Sequence, residues 1–506
     1  MNKTKLICTA LAIVTSWATA TAGGLLTNTN QNINFLRNPA RDAAIAIDGV
    51  YSNPAGVAFL GQGFHVSIGL QNAHQTRTIH TGYPLFSNNA NMSGMIHEFK
   101  GTADAPVIPS LQAAYNTGSW SLQFGFSLAG GGGKCEFPNG LGSFEQIVAG
   151  VTTYAPDINT LYTTLGQLGI PGMAGRSMGD KYSYNSFMRG RQYYYGFNFG
   201  AAYRFNGNLA VFGGVKMIYG TANYYGYVKN ISIENIENGQ SSMVGASAHF
   251  EELALQLSHY AGAVEQAGNA TAAAALASAA EKATLLSQST QDIELNCDQT
   301  GWGVAPIIGI DYKTGGLNLA AKYEFKTRIR LKNKSANSLS VESISMLGKF
   351  KDGGEVAEDI PALLTVGAQY ELLPSLRVSV GWHHYFDVDT RQYSSDMLGD
   401  TNEYLFGAEY DVCKRLQVSA GAQKTCYSLH DAGMNDISFT VNSYSVGFGV
   451  GVKVTDKVKI NAAYFQTIYG NYDKKEKVVQ NNCEADVTNS FTRTNRVIGL
   501  GVDFTI

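Results

Sequence analysis

Apolar and polar residues alternate with a period of two along much of this 506-residue chain, and this alternation constrains the fold more than any other feature. Successive side chains of a β-strand point to opposite faces, so the alternation gives each strand one apolar and one polar face. Segments of about ten residues with this pattern are typical of transmembrane β-barrels, whose sheet must close because lipid offers the backbone no hydrogen-bond partner. The best examples are 191–205, with Tyr193, Tyr195, Phe197, Phe199, Ala201, Tyr203 and Phe205 on one face, and then 402–412 and 498–506.

Composition agrees with a membrane barrel and argues against two other classes. The chain holds 56 Gly, 28 Tyr and 24 Phe, and only 15% of its residues are charged. After the first residues no run of about 18 apolar residues occurs, which excludes transmembrane helices. The formal charge of −3 becomes −5 when the two lysines of residues 1–22 are removed, so no basic excess predicts a nucleic-acid partner.

The first 22 residues have the pattern of a secretory signal peptide. Lys3 and Lys5 precede the apolar stretch Leu6–Val14, and Ala-x-Ala sites follow. The apolar stretch is too short to span a bilayer. Cleavage after Ala22 would leave Gly23 as the mature N-terminus, so 1–22 is predicted to be a leader.

The lengths of the connections predict the number of strands. Six very short turns alternate with seven longer connections, which gives fourteen strands, within two. In outer-membrane barrels short turns face the periplasm and long loops face outside, so both termini are expected in the periplasm. The short turns are 116–119, 206–208, 314–316, 373–375, 411–415 and 454–457, and the longer connections lie near 78–93, 134–188, 225–302, 331–361, 390–402, 428–440 and 470–494.

Two long connections have helical composition. Residues 245–290 are rich in Ala, Leu and Glu and contain no Pro, which favours helix, with a break at Gly268 and Asn269. A second helix is expected before Pro171. The insertion at about 240–292 is either loop decoration or part of a helical cap that forms an outer vestibule.

A run of four glycines, Gly130, Gly131, Gly132 and Gly133, follows the apolar stretch 120–129. It is not a phosphate-binding loop, because that motif needs Gly at the position of Leu128 and Ser or Thr at that of Cys135. Glycines inside a strand weaken or bend it. The run is therefore either a bend in the strand or the beginning of the following loop.

No pattern of residues predicts an enzyme, a metal site or a cofactor. His383 and His384 are adjacent on a strand and point to opposite faces, which makes them poor joint ligands. No nucleophile elbow or comparable catalytic motif occurs. Without Cys8, which leaves with the leader, five scattered cysteines remain. One or two loop disulfides could form among them, with the pairing left open: Cys135, Cys297, Cys413, Cys426 and Cys483.

A helix-start signal, YSNPAGVAF, precedes the first strand. Asn53 can cap a helix with its side-chain oxygen, and Pro54 suits the first helical position because its missing N–H costs nothing there. The sequence therefore predicts a short capped helix in a region that has no strand pattern.

The segment Gly23–Leu60 resembles the N-terminus of the FadL/TodX family of outer-membrane transporters for hydrophobic compounds. The match rests on the Ala-rich DAAIAIDGVYSNPAG, in which Asp48 precedes Asn53, Pro54, Ala55 and Gly56. The resemblance implies an all-β fold: a 14-stranded antiparallel transmembrane barrel with an N-terminal hatch at 23–61, a barrel at 62–506 and helical extracellular loops.

The resemblance also implies sites and a route. The N-terminus would reach the ligand pocket, which places Gly23, Leu25 and Leu26 near the ligand, and a kink of the third strand at Gly130–Gly133 would open a lateral exit. Two departures are Ile506 in place of a terminal aromatic residue and the length of 225–302. No motif carries over a residue for the polar head group of a ligand.

The function implied is passive, inward passage of hydrophobic small molecules, most simply long-chain fatty acids, through the outer membrane of a Gram-negative bacterium. The expected partners are the ligand, outer-membrane lipid and lipopolysaccharide, and the barrel-assembly machinery, with the barrel itself a monomer. Two alternatives stay open: a general diffusion porin, and an adhesion or structural barrel that displays the 225–302 loop. A lipase is a more distant one.

Overall fold

The computed structural model describes residues 25–167, 169–337, 345–481 and 483–506. The predicted leader and Gly23 lie outside the described residues.

Fourteen long strands form one antiparallel sheet in which each strand pairs with its sequence neighbours. The first strand pairs with both the second and the last, so the sheet closes into a barrel. The predicted fold class and strand count are confirmed. The strands are β1 (Gly63–Gly82), β2 (Ile96–Thr117), β3 (Trp120–Phe137), β4 (Arg176–Arg204), β5 (Leu209–Glu237), β6 (Ile293–Thr314), β7 (Leu317–Glu324), β8 (Leu363–Leu373), β9 (Leu376–Tyr385), β10 (Thr401–Cys413), β11 (Leu416–Cys426), β12 (Ser443–Lys453), β13 (Val458–Tyr469) and β14 (Cys483–Thr505).

The period-two pattern places polar side chains inside the barrel and apolar ones outside. On β1, Gln71 and Gln75 point inward and are buried, whereas Ile68 and Leu70 point outward and are about half exposed. Trp302 and Phe448 are exposed on the outer face in the same way. Large apolar side chains on the exterior of a closed sheet form the band that contacts lipid in outer-membrane barrels.

The two ends of the barrel differ. Six tight turns join strands at one end, which we call the tight-turn end, and seven longer connections lie at the other, the long-loop end. The strands run further than the sequence analysis expected. β4 and β5 each contain 29 residues and stay paired well into the connections predicted at 134–188 and 225–302. These connections are therefore shorter, 138–175 and 238–292. Four short strands lie within the long connections: Gln240–Gly245, Arg330–Ser335, Glu355–Ala357 and Tyr472–Gln480.

Six helices accompany the sheet. Two short ones precede β1, α1 (Ile33–Arg37) and α2 (Gly49–Ser52), and four lie at the long-loop end: α3 (Gly142–Ala149), α4 (Ala155–Gln167), α5 (Ala246–Gln266) and α6 (Ala270–Ser289). The predicted break between α5 and α6 is present, and the side chain of Asn269 accepts a hydrogen bond from the Ala272 amide at the start of α6. Among the described helices, none is both long and apolar enough to cross a membrane.

The largest apolar core of the molecule lies at the long-loop end. It joins α3, α4, α5 and α6 to the upper parts of the strands and to the 427–442 connection, with Phe86, Tyr162, Phe250 and Phe439 among its fully buried side chains. The five described cysteines are free thiols. The long loops therefore pack into a cap without disulfides.

Candidate ligand passage

Residues 25–60, which we call the hatch, lie inside the ring of strands. α1 contacts β1 and β11 to β14, α2 contacts β2 and β3, and the 3-10 helix Gly56–Phe59 contacts β3 to β6. Of these residues only a handful are not buried. The domain boundary at 61 therefore falls where the chain leaves the lumen and enters the wall.

Buried ion pairs anchor the hatch to the wall. The guanidinium of Arg41 donates to both carboxylate oxygens of Asp48, at 2.8 and 3.1 Å, and to Glu409 of β10 at 2.8 Å. Arg37 lies 3.6 Å from the same Glu409 carboxylate and also donates to Gln417 and Asn461. Each cation thus faces a carboxylate, as a buried charge requires.

Asp48 is the centre of the hatch rather than the wall. Besides Arg41 it accepts a hydrogen bond from Asn34 of α1 at 3.1 Å. One carboxylate therefore ties α1, the 38–47 loop and the start of α2 together. The sequence analysis singled out Asp48 by resemblance alone and did not predict its two partners, which are 7 and 14 residues away.

The expected helix start at Asn53 is wrong. Asn53 ends α2 instead, because its backbone N–H donates to Gly49. Its side-chain oxygen caps a turn by accepting from the Gly56 amide at 3.1 Å, and the 3-10 helix begins only at Gly56. Pro54 therefore lies in the turn between two short helices rather than at the first position of an α-helix.

The same side chain reaches the barrel wall. The Asn53 amide donates to Asp311 of β6 at 2.5 Å, and Gln123 of β3 donates to the Pro54 carbonyl at 2.7 Å. Ala55 is fully buried, and a Cβ at Gly56 would collide with Asn53 and Asp311. The NPAG motif is thus a tight, small-residue contact between hatch and wall.

His383 belongs to another contact between hatch and wall. Its ring nitrogens lie 2.9 Å from Asp42 of the hatch and 2.9 Å from Glu403 of β10, whereas His384 is on the opposite strand face and bonds Asn402. The opposite orientation of the two histidines matches the prediction. Within the described residues, no cluster of three potential metal ligands is present.

The wall is interrupted between β2 and β3. The two strands pair at Ala103 with Cys135 and again from Leu111 with Phe126, and the residues between are not paired with each other. β3 also shifts register against β4 around Gly130 and Gly133. Gly131 and Gly133 have φ angles of 94° and 75°, in the left-handed region that favours glycine. We call this interruption the gap.

The sequence analysis missed the other side of the gap. β2 carries Pro106 and Pro109 in the unpaired stretch, and a proline has no N–H to donate to a neighbouring strand. Prolines on one strand facing glycines on the next are a signal that could have located the interruption from both sides. Only the glycines were used.

The first described residues of the hatch fill the gap from inside. The Asn28 amide donates to the Ala129 carbonyl at 2.9 Å, and the Gly131 amide donates to the Leu26 carbonyl at 3.2 Å. A Cβ at Gly130 would stand 2.5 Å from the Leu26 carbonyl oxygen, so glycine permits this approach. β3 therefore replaces β2 with a segment of the hatch as its partner here.

Leu25 and Leu26 separate into two apolar clusters. Leu26 packs with Ala129, Tyr194 and Ile218 on the β3 to β5 side, and Leu25 packs with Leu398 and Tyr427 near the long-loop end. Both are buried. The structure thus places them at the lumen end of the hatch and brings Leu26 next to the glycine run.

Three cavities follow one another from the gap into the barrel. The first, of about 570 Å³ including open solvent, is lined by Gly131, Gly132 and Gly133 and by both edges of the gap. The second, of about 440 Å³, shares Gly132 and Gly133 with it and adds Arg77 and apolar side chains. The third, of about 280 Å³, is lined by Leu25 and Phe439. The second and third approach one another at the 427–442 connection, which supplies Ile437 and Phe439.

The 427–442 connection is held in place by a buried carboxylate. Asp436 accepts a hydrogen bond from the Ser143 amide, near the start of α3, at 2.7 Å. Burial raises the pKa of Asp436, while the hydrogen bond from Ser143 acts in the opposite direction. This contact positions Ile437 and Phe439 over the lumen.

Comparison with known proteins gave no matching family model and no matching curated sequence. Solved structures do match. A Pseudomonas aeruginosa FadL homologue aligns over 97% of this chain and 100% of its own, with 11% identity and a TM-score of 0.59. A mutant of the monoaromatic hydrocarbon channel TodX aligns over 91% and 94%, with 14% identity and a TM-score of 0.51. The Pseudomonas putida toluene transporter TodX aligns over 91% and 95%, with 15% identity and a TM-score of 0.49. The first two matches show that the chain has the FadL-type barrel fold that its N-terminal segment predicted.

Proposed function

We propose that this protein is an outer-membrane channel through which hydrophobic small molecules pass inward and leave sideways into the membrane. The observation that carries the proposal is the gap between β2 and β3, which has a cavity directly behind it. Unpaired backbone at membrane depth is tolerated only where it lines a cavity or is buried in protein. A wall that is interrupted at such a place provides a lateral opening.

Lateral release suits an apolar ligand. Each methylene moved from an apolar site into water costs about 0.8 kcal/mol, so a long alkyl chain would resist entering the periplasm. A route from the cap, along the three cavities and out through the gap avoids that step. No energy source is needed, because each successive site is preferred to water.

The hatch closes the tight-turn end and contributes to the gap. Its residues fill the lumen there, which argues against an open, water-filled porin. Leu26 and Asn28 bond to β3 at the glycine run, so a displacement of the hatch would uncover the gap from inside. Gating by the hatch, with Asp48, Asn53, Pro54, Ala55 and Gly56 as its anchor, is part of the proposal.

The ligand class is proposed from the neighbours and the cavities together. The printed names of the similar structures describe a FadL homologue and a monoaromatic hydrocarbon channel, both consistent with a hydrophobic ligand. Among such ligands we propose long-chain fatty acids. The apolar lining contributed by Leu25 and Phe439 supports this choice.

The test is to bridge the gap. After the native cysteines are replaced, Val107→Cys and Gly132→Cys are joined by a thiol-reactive cross-linker, and uptake of labelled oleate is measured in cells that depend on this protein. The matched control bridges an intact part of the wall with Phe448→Cys and Tyr464→Cys, which face each other across β12 and β13. We expect the first bridge alone to slow uptake. Equal uptake with both bridges would contradict lateral exit.

A further inference from the structure

Two arginines face each other inside the barrel. Arg77 of β1 and Arg493 of β14 are direct partners in the pairing of these strands. Both side chains point inward, with exposed fractions of 7% and 3%. Directly opposed like charges on neighbouring strands repel each other, so this pair is unfavourable unless something compensates it.

Arg493 lacks the partners that a buried cation requires. Its Nε and Nη2 atoms have no hydrogen-bond partner, and Nη1 donates only to the Phe439 carbonyl at 3.4 Å. Its guanidinium lies 5.3 Å from the centre of the Tyr469 ring and 5.8 Å from that of Phe439. In the part of the chain that the structure describes, no carboxylate lies within ion-pair distance of Arg493.

The other buried arginines of the lumen are neutralised. Arg41 pairs with Asp48 and Glu409, and Arg37 lies against the same Glu409. The ring faces near Arg493 attract a cation weakly, by about 0.5–2 kcal/mol, whereas leaving a buried charge without a counter-charge costs several kcal/mol. The contrast indicates that the counter-charge for Arg493 is supplied by something other than this chain.

The cavity next to the pair has the shape of a site for an amphiphile. Arg77 lines the cavity of about 440 Å³ together with Phe137, Leu141 and Met188, so one cation stands among apolar walls. Phe439, on which Arg493 lies, lines the neighbouring apolar cavity. The Arg77 cavity continues through Gly132 and Gly133 toward the gap.

We propose that Arg77 and Arg493 bind the carboxylate head group of an anionic amphiphile, whose hydrocarbon tail lies along Phe137, Leu141 and Met188. The inference rests on the proposed function and narrows its ligand from hydrophobic compounds in general to those with a negative charge. A guanidinium can present two parallel N–H donors to a carboxylate, and Nε and Nη2 of Arg493 are such a pair. A neutral hydrocarbon would leave both donors unpaired.

The test compares two ligands of equal tail and different head. Binding of labelled oleate and of oleyl alcohol is measured by equilibrium dialysis with the purified, amphipol-held barrel. The variants are Arg493→Gln and Arg493→Lys, and the control is Arg496→Gln, which removes an exposed cation from the same strand. Heat-modifiable migration on gels confirms that each barrel is folded.

We expect Arg493→Gln to weaken oleate binding roughly tenfold to a hundredfold, as for the loss of a hydrogen bond to a charged group. Arg493→Lys should keep part of the affinity, and Arg496→Gln should keep all of it. Binding of oleyl alcohol should change less than about threefold in every variant, since an alcohol gains little from a cation.

The outcomes separate the two proposals. If oleate binds equally well to the wild type and Arg493→Gln, or if the variant weakens the alcohol as much as the acid, the arginines do not bind a carboxylate, although a hydrophobic channel remains supported. If the wild type binds neither oleate nor the alcohol, the proposed function itself fails together with this inference.

Discussion

Thr27 of the hatch and Gly130 of β3 form an isolated antiparallel β-bridge. The bridge lies at the place where β3 has lost its pairing with β2, so the plug supplies the backbone partner that the wall lacks. Movement of the plug and opening of the wall are therefore coupled through backbone hydrogen bonds. A closed hatch satisfies the edge of β3, and a displaced hatch exposes it to the cavity.

Replacement of Gly131 by alanine should impair transport without preventing barrel assembly. A Cβ there would stand 2.5 Å from the Gln192 carbonyl oxygen, and φ is 94°, so we expect about 1–3 kcal/mol of local strain. Uptake of labelled oleate and gel migration measure the two effects. Gly207→Ala is the control, because no atom lies within 4 Å of its Cβ position and its φ is not positive. Unchanged uptake by Gly131→Ala would argue against a role for the kink.

Replacement of Arg41 by glutamine should loosen the hatch. The change leaves Asp48 without its cation inside the barrel, and breaking such a buried pair costs about 3–5 kcal/mol. We expect greater ion leak through single barrels in planar bilayers. Arg176→Gln, which breaks a more exposed pair with Glu237, should not leak. A silent Arg41→Gln barrel would show that the ion pair does not hold the plug.

Trypsin should not cut the hatch of the folded wild-type protein. Arg37 and Arg41 are 1% and 3% exposed, whereas Lys351 lies exposed in a long connection and should be cut readily. In Arg41→Gln the remaining site at Arg37 should become susceptible. Mass spectrometry of the fragments identifies each cut, and early cleavage at Arg37 in the wild type would contradict a plug held in the lumen.

Two substitutions of Asn53 separate its roles. Asn53→Ala removes the cap on Gly56 and the donor to Asp311, which should cost about 1–3 kcal/mol locally. Asn53→Asp keeps a capping oxygen but places two carboxylates in contact. If the tether to Asp311 dominates, as we expect, the aspartate variant leaks more ions than the alanine variant. The reverse order would assign the main role to the cap.

The seat of the 427–442 connection should tolerate loss of charge at Asp436. Burial raises the pKa of this carboxyl, so its charged form is disfavoured in the folded state and its stabilising contribution is lost as the pH rises through that pKa. Asp436→Asn keeps an acceptor for the Ser143 amide and should preserve its protection from hydrogen exchange at pH 8. Asp436→Ala should expose the amide. Equal exchange in both variants would remove the role of the hydrogen bond.

The barrel itself could be predicted from local patterns. Alternation along strands such as β4 and β10 depends only on which face each side chain occupies, and the tight turns between strands have short, recognisable sequences. Strand ends were less certain: β4 and β5 continue beyond the apolar band, where cross-strand hydrogen bonds and the cap stabilise them and the alternation is weaker. The predicted connections were therefore too long.

The resemblance at the N-terminus identified the NPAG segment and its hatch position, yet not its chemistry. Asn53 was expected to start a helix and instead ends one, since its amide is used by Asp311, a residue 258 positions away. Asp48, Arg41 and Glu409 are likewise joined across the lumen. Local sequence states which residues can pair, while the closure of the barrel determines which of them meet.

Period-two alternation and turn spacing thus determined the number of strands, the closed sheet and its apolar exterior, because these follow from backbone geometry within about ten residues. The glycine run could be recognised in the same way as a weak point of a strand. Its completion by Pro106 and Pro109 on β2, its bridge to Thr27, and the opposition of Arg77 and Arg493 all join residues far apart in the chain. Such contacts come from strand register and from the packing of the hatch in the lumen, and neither is encoded in any one stretch of sequence.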